Sequence, residues 1–176
     1  MRLKLLSPGE MSAEQKETYD EAISGMRGAP PAPMMAWLNS PQMAKHATRL
    51  GEQLRFNTIF PAKLSEIAIL VTGAHFDAAY EIYAHIAVAE REGMSAARLS
   101  ELCANIKPGD LNAQESVAYD VAFALVNGGV LPEPCYRLAV TTFGQHGANE
   151  LIYLVGLYCM VSMTLNGFNV PVPERE

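Results

Sequence analysis

Cysteine is scarce in this chain of 176 residues: Cys103, Cys135 and Cys159 are the only three, and no two stand close together. That spacing excludes a paired-thiol motif and a metal knuckle, and it fits a reducing compartment. Charge is sparse too, at 18% of residues, and Lys and Arg are outnumbered, giving a formal net charge of −6. No basic run appears, so a nucleic-acid binder is not expected, because phosphate contacts need clustered cations. Alternating apolar and polar runs of strand length are missing as well, which removes the usual signal for a half-buried sheet. The N-terminal stretch Met1–Glu10 has a basic flank but too short an apolar core for a signal peptide, so a cytoplasmic location is the expectation.

What is present is apolar and helical in pattern. Hydrophobic residues make up 49% of the chain, enough for one domain over 1–176 with a sizeable core. Ser12-Ala13-Glu14-Gln15 has the form of a capping box, and the helix behind it should reach about Ser24. Gly25 to Pro33 reads as a loop. Ser40-Pro41 places a cap before a proline at the first helical position, predicting a helix to about Phe56. Pro61 opens the next segment; its run Ile67–Thr72 fits a buried strand or a helix, and the flanking composition favours helix, with Gly73 ending or bending it.

Asp77 is the expected cap of a helix from about Ala78 to Glu92, stopped by Gly93. Ser95 caps a shorter helix that ends by Pro108-Gly109. Asn112-Ala113-Gln114-Glu115 starts another, closed by Gly128-Gly129. Pro132 begins a helix to about Phe143, and Asn149 is the expected cap of a last, apolar one. From Leu151 to Pro173 there is no charged side chain. Its length suits a bilayer span, but its Gly, Asn and Pro content favours a buried or interface helix.

The residues that carry chemistry lie in the middle. Glu81 and His85 are spaced i, i+4 and share a helix face. A carboxylate there can fix the imidazole tautomer and raise its basicity, as proton transfer requires. Tyr80 and Tyr83 flank the pair as candidate substrate-binding hydroxyls. Glu66 lies one helix earlier and can fold back toward them, and His75, in the connection, is a further candidate lining residue. Pairs of this spacing are also common on ordinary solvated helices. His46 reads as a surface residue and His146 as a loop histidine, and no metal-ligand spacing joins the histidines and acids. Cys135, near a helix start, is the one thiol whose pKa a helix dipole could lower, although a lone thiol there is more often inert. Met34, Met35, Met160 and Met163 are candidates for core packing or for an apolar pocket.

Glu66, twelve residues to Ala78, three to Glu81 and four to His85, followed by Ala89 and Gly93, resembles the signature segment of the carboxymuconolactone decarboxylase family, which includes the AhpD-type alkylhydroperoxidases. In the AhpD branch a Cys-x-x-Cys pair precedes the histidine. Aligned on His85, those thiol positions hold Ala78 and Glu81, so both thiols are absent. Tyr80-Glu81-Ile82-Tyr83-Ala84-His85 is similar to the decarboxylase branch, with Ile82 where an aromatic is common. Asn39-Ser40-Pro41-Gln42-Met43-Ala44 and the tail around Glu150-Leu151-Ile152, Tyr158 and Leu165-Asn166-Gly167-Phe168 extend the resemblance over residues 35–172.

The resemblance implies an all-α, AhpD-like helical fold and homo-oligomers, trimers or hexamers. It also implies a decarboxylase-like enzyme on a small carboxylated or lactone metabolite, with His85 moving the proton, Glu81 orienting it and Glu66 as a second acid. No cofactor, metal, nucleic acid or membrane enters that reading. A thiol peroxidase and a non-catalytic, ligand-binding oligomer are the alternatives.

Overall fold

The computed structural model describes residues 1–25 and 30–173; the loop expected from Gly25 to Pro33 lies partly outside them. Among the described residues the secondary structure is helical throughout. A short 3-10 turn (Pro8–Glu10) precedes α1 (Ala13–Ser24), α2 (Ala32–Trp37), α3 (Pro41–Phe56), α4 (Ala62–His75), α5 (Ala79–Arg91), α6 (Ala96–Cys103), α7 (Ala113–Val126) and α8 (Glu133–Phe168).

Ser12, Ser95 and Asn112 cap their helices through the side chain, as read, whereas Ser40 stands at the start of α3 without a side-chain cap bond. Gln15 N–H donates to Ser12 Oγ at 3.3 Å while Ser12 N–H donates to Gln15 Oε1 at 2.8 Å, closing the box that starts α1. Asn112 and Glu115 make the same reciprocal pair at the start of α7. The helix expected after Ser95 is capped as read, but it stops at Cys103.

The centre of the fold is α4. Every residue from Leu64 to Ala74 is buried, and α5, α6, α7 and α8 all pack on it. That explains why Ile67–Thr72 shows no clean periodicity: a helix covered on all sides needs no polar face. The main core joins Ile67, Leu70 and Val71 of α4 to Leu102 of α6, Val121 of α7 and Leu151, Leu154 and Leu165 of α8. Those α8 positions fall at helical spacing on one side, so the uncharged tail spends its apolar face on α4 and α7. By length and composition α8 also passes the test for a membrane-crossing helix.

A smaller layer sits outside this core. α1 lies along α3, with Glu17 reaching Lys45 and Glu21 reaching Arg49. Such exposed pairs add little energy but fix the register of the two helices. Met34, Leu38, Ala22 and Ala44 pack beneath them, so Met34 is a core residue. Trp37 anchors α2 to α8, its indole N–H donating to Thr164 Oγ1 at 2.9 Å.

Several expectations need correction. Gly73 does not end or bend α4, which continues to His75. The chain reverses instead through Asp77, at a left-handed φ of 47°, and Ala78 rather than Asp77 occupies the cap position. Pro132 starts a helical stretch that runs to Phe143, as read, but Asn149 does not start the next one. The helical stretches meet at Gly144 (φ 71°, ψ 171°), a conformation open essentially to glycine alone. Asn149 is therefore inside α8, accepting from Gln145 Nε2 at 2.8 Å. His146 is helical as well, exposed and 3.3 Å from Glu150.

Gly73 instead faces α5 across an ordinary gap. A Cβ added there would lie 3.6 Å from Glu81 Cγ and from Ile82 Cγ1. That is van der Waals contact without overlap. Gly73→Ala should therefore stabilise the fold by about 0.5–1 kcal/mol, since alanine loses less backbone freedom in a helix. The check is a rise of about 1–4 °C in melting temperature.

Candidate functional site

Two helices bring Glu66, Glu81 and His85 together. Glu66 is in the second turn of α4, and Glu81 and His85 are in the first two turns of α5. The Asp77 turn lays α5 back on α4. His85 Nδ1 is 2.6 Å from Glu66 Oε2, and His85 Nε2 is 2.8 Å from Glu81 Oε1. The imidazole thus bridges two carboxylates. All three residues are buried, Glu66 completely.

Two further residues complete the cluster. Arg55, in the last turn of α3, places Nη2 3.0 Å from Glu66 Oε1, and its Nη1 donates to the Tyr158 hydroxyl of α8 at 2.7 Å. Arg55 Nη1 also lies 3.3 Å from both ring nitrogens of His85. A point equidistant from both and that close would overlap Cε1 if it lay in the ring plane, so the guanidinium sits over the ring face. The Tyr158 ring stands perpendicular to the imidazole, with centroids 5.2 Å apart.

The charges decide the state of His85. Arg55 contributes one positive charge and the two glutamates two negative ones, so a protonated His85 makes the group neutral. Burial disfavours the imidazolium. The charges of Glu81 and Glu66 and the hydrogen bonds they accept outweigh that, and the pKa of His85 is raised above its ordinary value. Burial likewise pushes Tyr158 up to about 12, against the opposing pull of Arg55, so its hydroxyl stays protonated at neutral pH.

Beside the cluster opens a cavity of about 310 Å³, lined by Trp37, Thr48, Phe56, Tyr80, Leu157 and Val161, among others, with Glu81, His85 and Tyr158 at its polar end. That volume suits a ring-sized molecule. Arg55 and Glu66 stand behind these residues and hold them.

Of the residues singled out in the sequence, Glu66, Glu81 and His85 converge, and Tyr80 lines the cavity. His75 and Tyr83 do not reach it. His75 ends α4, nine residues and so about 13 Å along the axis from Glu66, where it is exposed and packs edge-on against Phe76. Tyr83 follows Glu81 by two positions, about 200° around the helix, and is 38% exposed. Sequence adjacency suggested both; helical angle and rise carry them away. Cys135, where a helix start could have lowered the pKa, is instead pushed up by burial.

Arg55 and Tyr158 are the members that the sequence reading missed. Tyr158 is a polar tip in an otherwise apolar stretch, which was the available signal. Arg55 had none, since its partners lie in three other helices. Among the described residues no acid and histidine cluster has the geometry of a metal site. The ring between the two carboxylates keeps them from converging on a common point.

No family model matches the sequence, and no curated protein sequence matches it. The fold does match a solved structure. A protein of unknown function from Agrobacterium tumefaciens, described as a putative antioxidant defence protein AhpD, superposes with a TM-score of 0.71. The match covers 79% of this chain and 96% of that one at 13% sequence identity. At that identity the likeness establishes architecture, and architecture does not fix chemistry. The chain has the all-helical AhpD-like fold.

Proposed function

We propose that this protein is an acid–base enzyme with decarboxylase-like chemistry, acting on a small carboxylated or lactone-type metabolite. The observation that carries the reading is His85, held between two buried carboxylates at the end of a cavity. Loss of a carboxylate next to a conjugated carbonyl leaves a carbon that must be protonated. An imidazolium kept charged by Glu66 and Glu81 is a proton donor suited to that step. Glu81 orients the ring from its own helix, and Glu66, tied to Arg55, fixes the other nitrogen.

The thiol peroxidase alternative needs a reactive thiol at the site. Here Cys103, Cys135 and Cys159 are all outside the cavity lining, and burial raises the pKa of each, disfavouring the reactive thiolate. The acid–base reading also carries the self-association implied by the sequence resemblance; Tyr153 and Met163, each 57% exposed on α8, are apolar surface available for it.

The test is turnover of 4-carboxymuconolactone, followed by carbon dioxide release. The wild type should turn it over, and His85→Ala should reduce the rate by about 10²–10⁴-fold, the usual contribution of a positioned acid. Absence of turnover by the wild type would remove this substrate.

A further inference from the structure

We propose that Tyr158, backed by Arg55, is a hydrogen-bond donor that receives the carbonyl or enolate oxygen of the ligand, which makes the cavity selective for carbonyl compounds. This rests on the acid–base reading and names the half of the site that His85 does not supply.

The direction of one hydrogen bond carries the argument. Arg55 Nη1 and the Tyr158 oxygen are 2.7 Å apart. A guanidinium has no lone pair to offer, so Arg55 donates and the phenol oxygen accepts. The phenol proton is therefore not used in that contact. Among the described residues, the Tyr158 hydroxyl donates no hydrogen bond. Yet the residue is only 4% exposed and lines the cavity beside His85.

A buried donor without an acceptor is unfavourable, and a ligand oxygen placed in the cavity removes that cost. The Arg55 contact also polarises the phenol and makes it a stronger donor. The lining around it is largely apolar, including Trp37, Leu157 and Val161, and in such surroundings a preformed donor favours developing negative charge more than water does. Tyr158 does not lose its proton in this role, because burial holds its pKa near 12.

Tyr158 and His85 then divide the reaction between two atoms of the substrate. The bond to the leaving carboxylate breaks, and carbon dioxide departs without the electron pair. That pair passes through the conjugated system to the carbonyl oxygen, and the enolate so formed accepts the Tyr158 hydrogen bond. The His85 Nε2 proton next passes by way of Glu81, which shares it at 2.8 Å and lines the cavity, to the carbon, restoring the carbonyl, and water reprotonates the imidazole. The negative charge of the carboxylate becomes that of the enolate and is neutralised by one proton, so no oxidant or reductant is needed.

The probe is 4-nitrophenol, a stable stand-in for an enolate, compared with 4-nitroanisole, which has the same ring but cannot present an oxyanion. Wild type should prefer 4-nitrophenol by at least about tenfold, the scale of one hydrogen bond to a charged group. Tyr158→Phe should weaken 4-nitrophenol by about ten- to a hundredfold and leave 4-nitroanisole unchanged, which also shows that the cavity is intact. No saturable 4-nitrophenol binding, no preference in the wild type, or equal affinity in Tyr158→Phe each overturns the proposal. If the probe behaves as expected but 4-carboxymuconolactone is not turned over, the donor stands and the decarboxylase reading falls. If His85→Ala abolishes turnover while Tyr158→Phe keeps both turnover and probe affinity, only the Tyr158 assignment falls.

Discussion

Glu66→Ala should destabilise the protein by about 3–5 kcal/mol, the typical cost of removing one partner from a buried ion pair. Glu66 is fully buried and faces two cationic groups at once, Arg55 at 3.0 Å and His85 at 2.6 Å. Its removal leaves Glu81 as the one carboxylate for both. His85 then holds its proton less well, and the loss should be read from the urea midpoint at several pH values. The raised pKa of His85 sets the direction. The extra stability of the protonated ring is fully present below its unfolded pKa, about 6.5, and fades as pH rises through the higher folded value. In wild type the midpoint should therefore fall as pH climbs past neutrality. In Glu66→Ala that fall should begin at lower pH. A flat profile in both proteins would contradict the charged state assigned to His85.

Arg98→Ala should cost about 2–3 kcal/mol while leaving the site intact. Arg98 is buried, and its guanidinium donates to Glu115 Oε1 at 3.2 Å, Asp110 Oδ1 at 3.0 Å and the Asp110 carbonyl at 2.9 Å. It ties α6 to the capping box of α7. The expected loss is below the full range for a buried pair for two reasons. The Asp110 side chain is 64% exposed, and Lys63 lies 3.8 Å from Glu115 and remains as a partner. Binding of 4-nitrophenol, measured at a temperature where the variant is folded, should match wild type. Glu66→Ala, by contrast, should lose stability and disturb the site together. A loss of probe affinity in Arg98→Ala would mean that α6 supports the cavity more directly than its contacts indicate.

How much of this was readable in advance follows from the range of each interaction. Capping signals act within four residues, and Ser12, Ser40, Ser95 and Asn112 mark the helix starts that form. In α8 the break after Phe143 was readable, but the restart was placed at Asn149 because Gly144 breaks the dihedrals without breaking the helical composition that follows. Glu81 and His85 were visible because a single helix sets their spacing, and Glu66 because one turn separates its helix from theirs. Arg55 and Tyr158 are 103 residues apart and meet only when α3 and α8 pack together. No local pattern encodes that meeting. His75 and Tyr83 show the opposite error, in which closeness along the chain stood in for closeness in space.

Trp37 is the single tryptophan of the sequence, and its indole is fastened to Thr164 while forming part of the cavity wall. The protein thus carries one native fluorophore in the cavity wall, at the place where α2 meets α8. Its emission reports two events without a label: occupancy of the cavity, through contact with the indole, and detachment of the outer layer, through loss of the Thr164 bond. Aromatic ligands can be screened by that signal before any substrate is known, and denaturation followed at the same wavelength shows whether the outer layer leaves before the core around α4 opens.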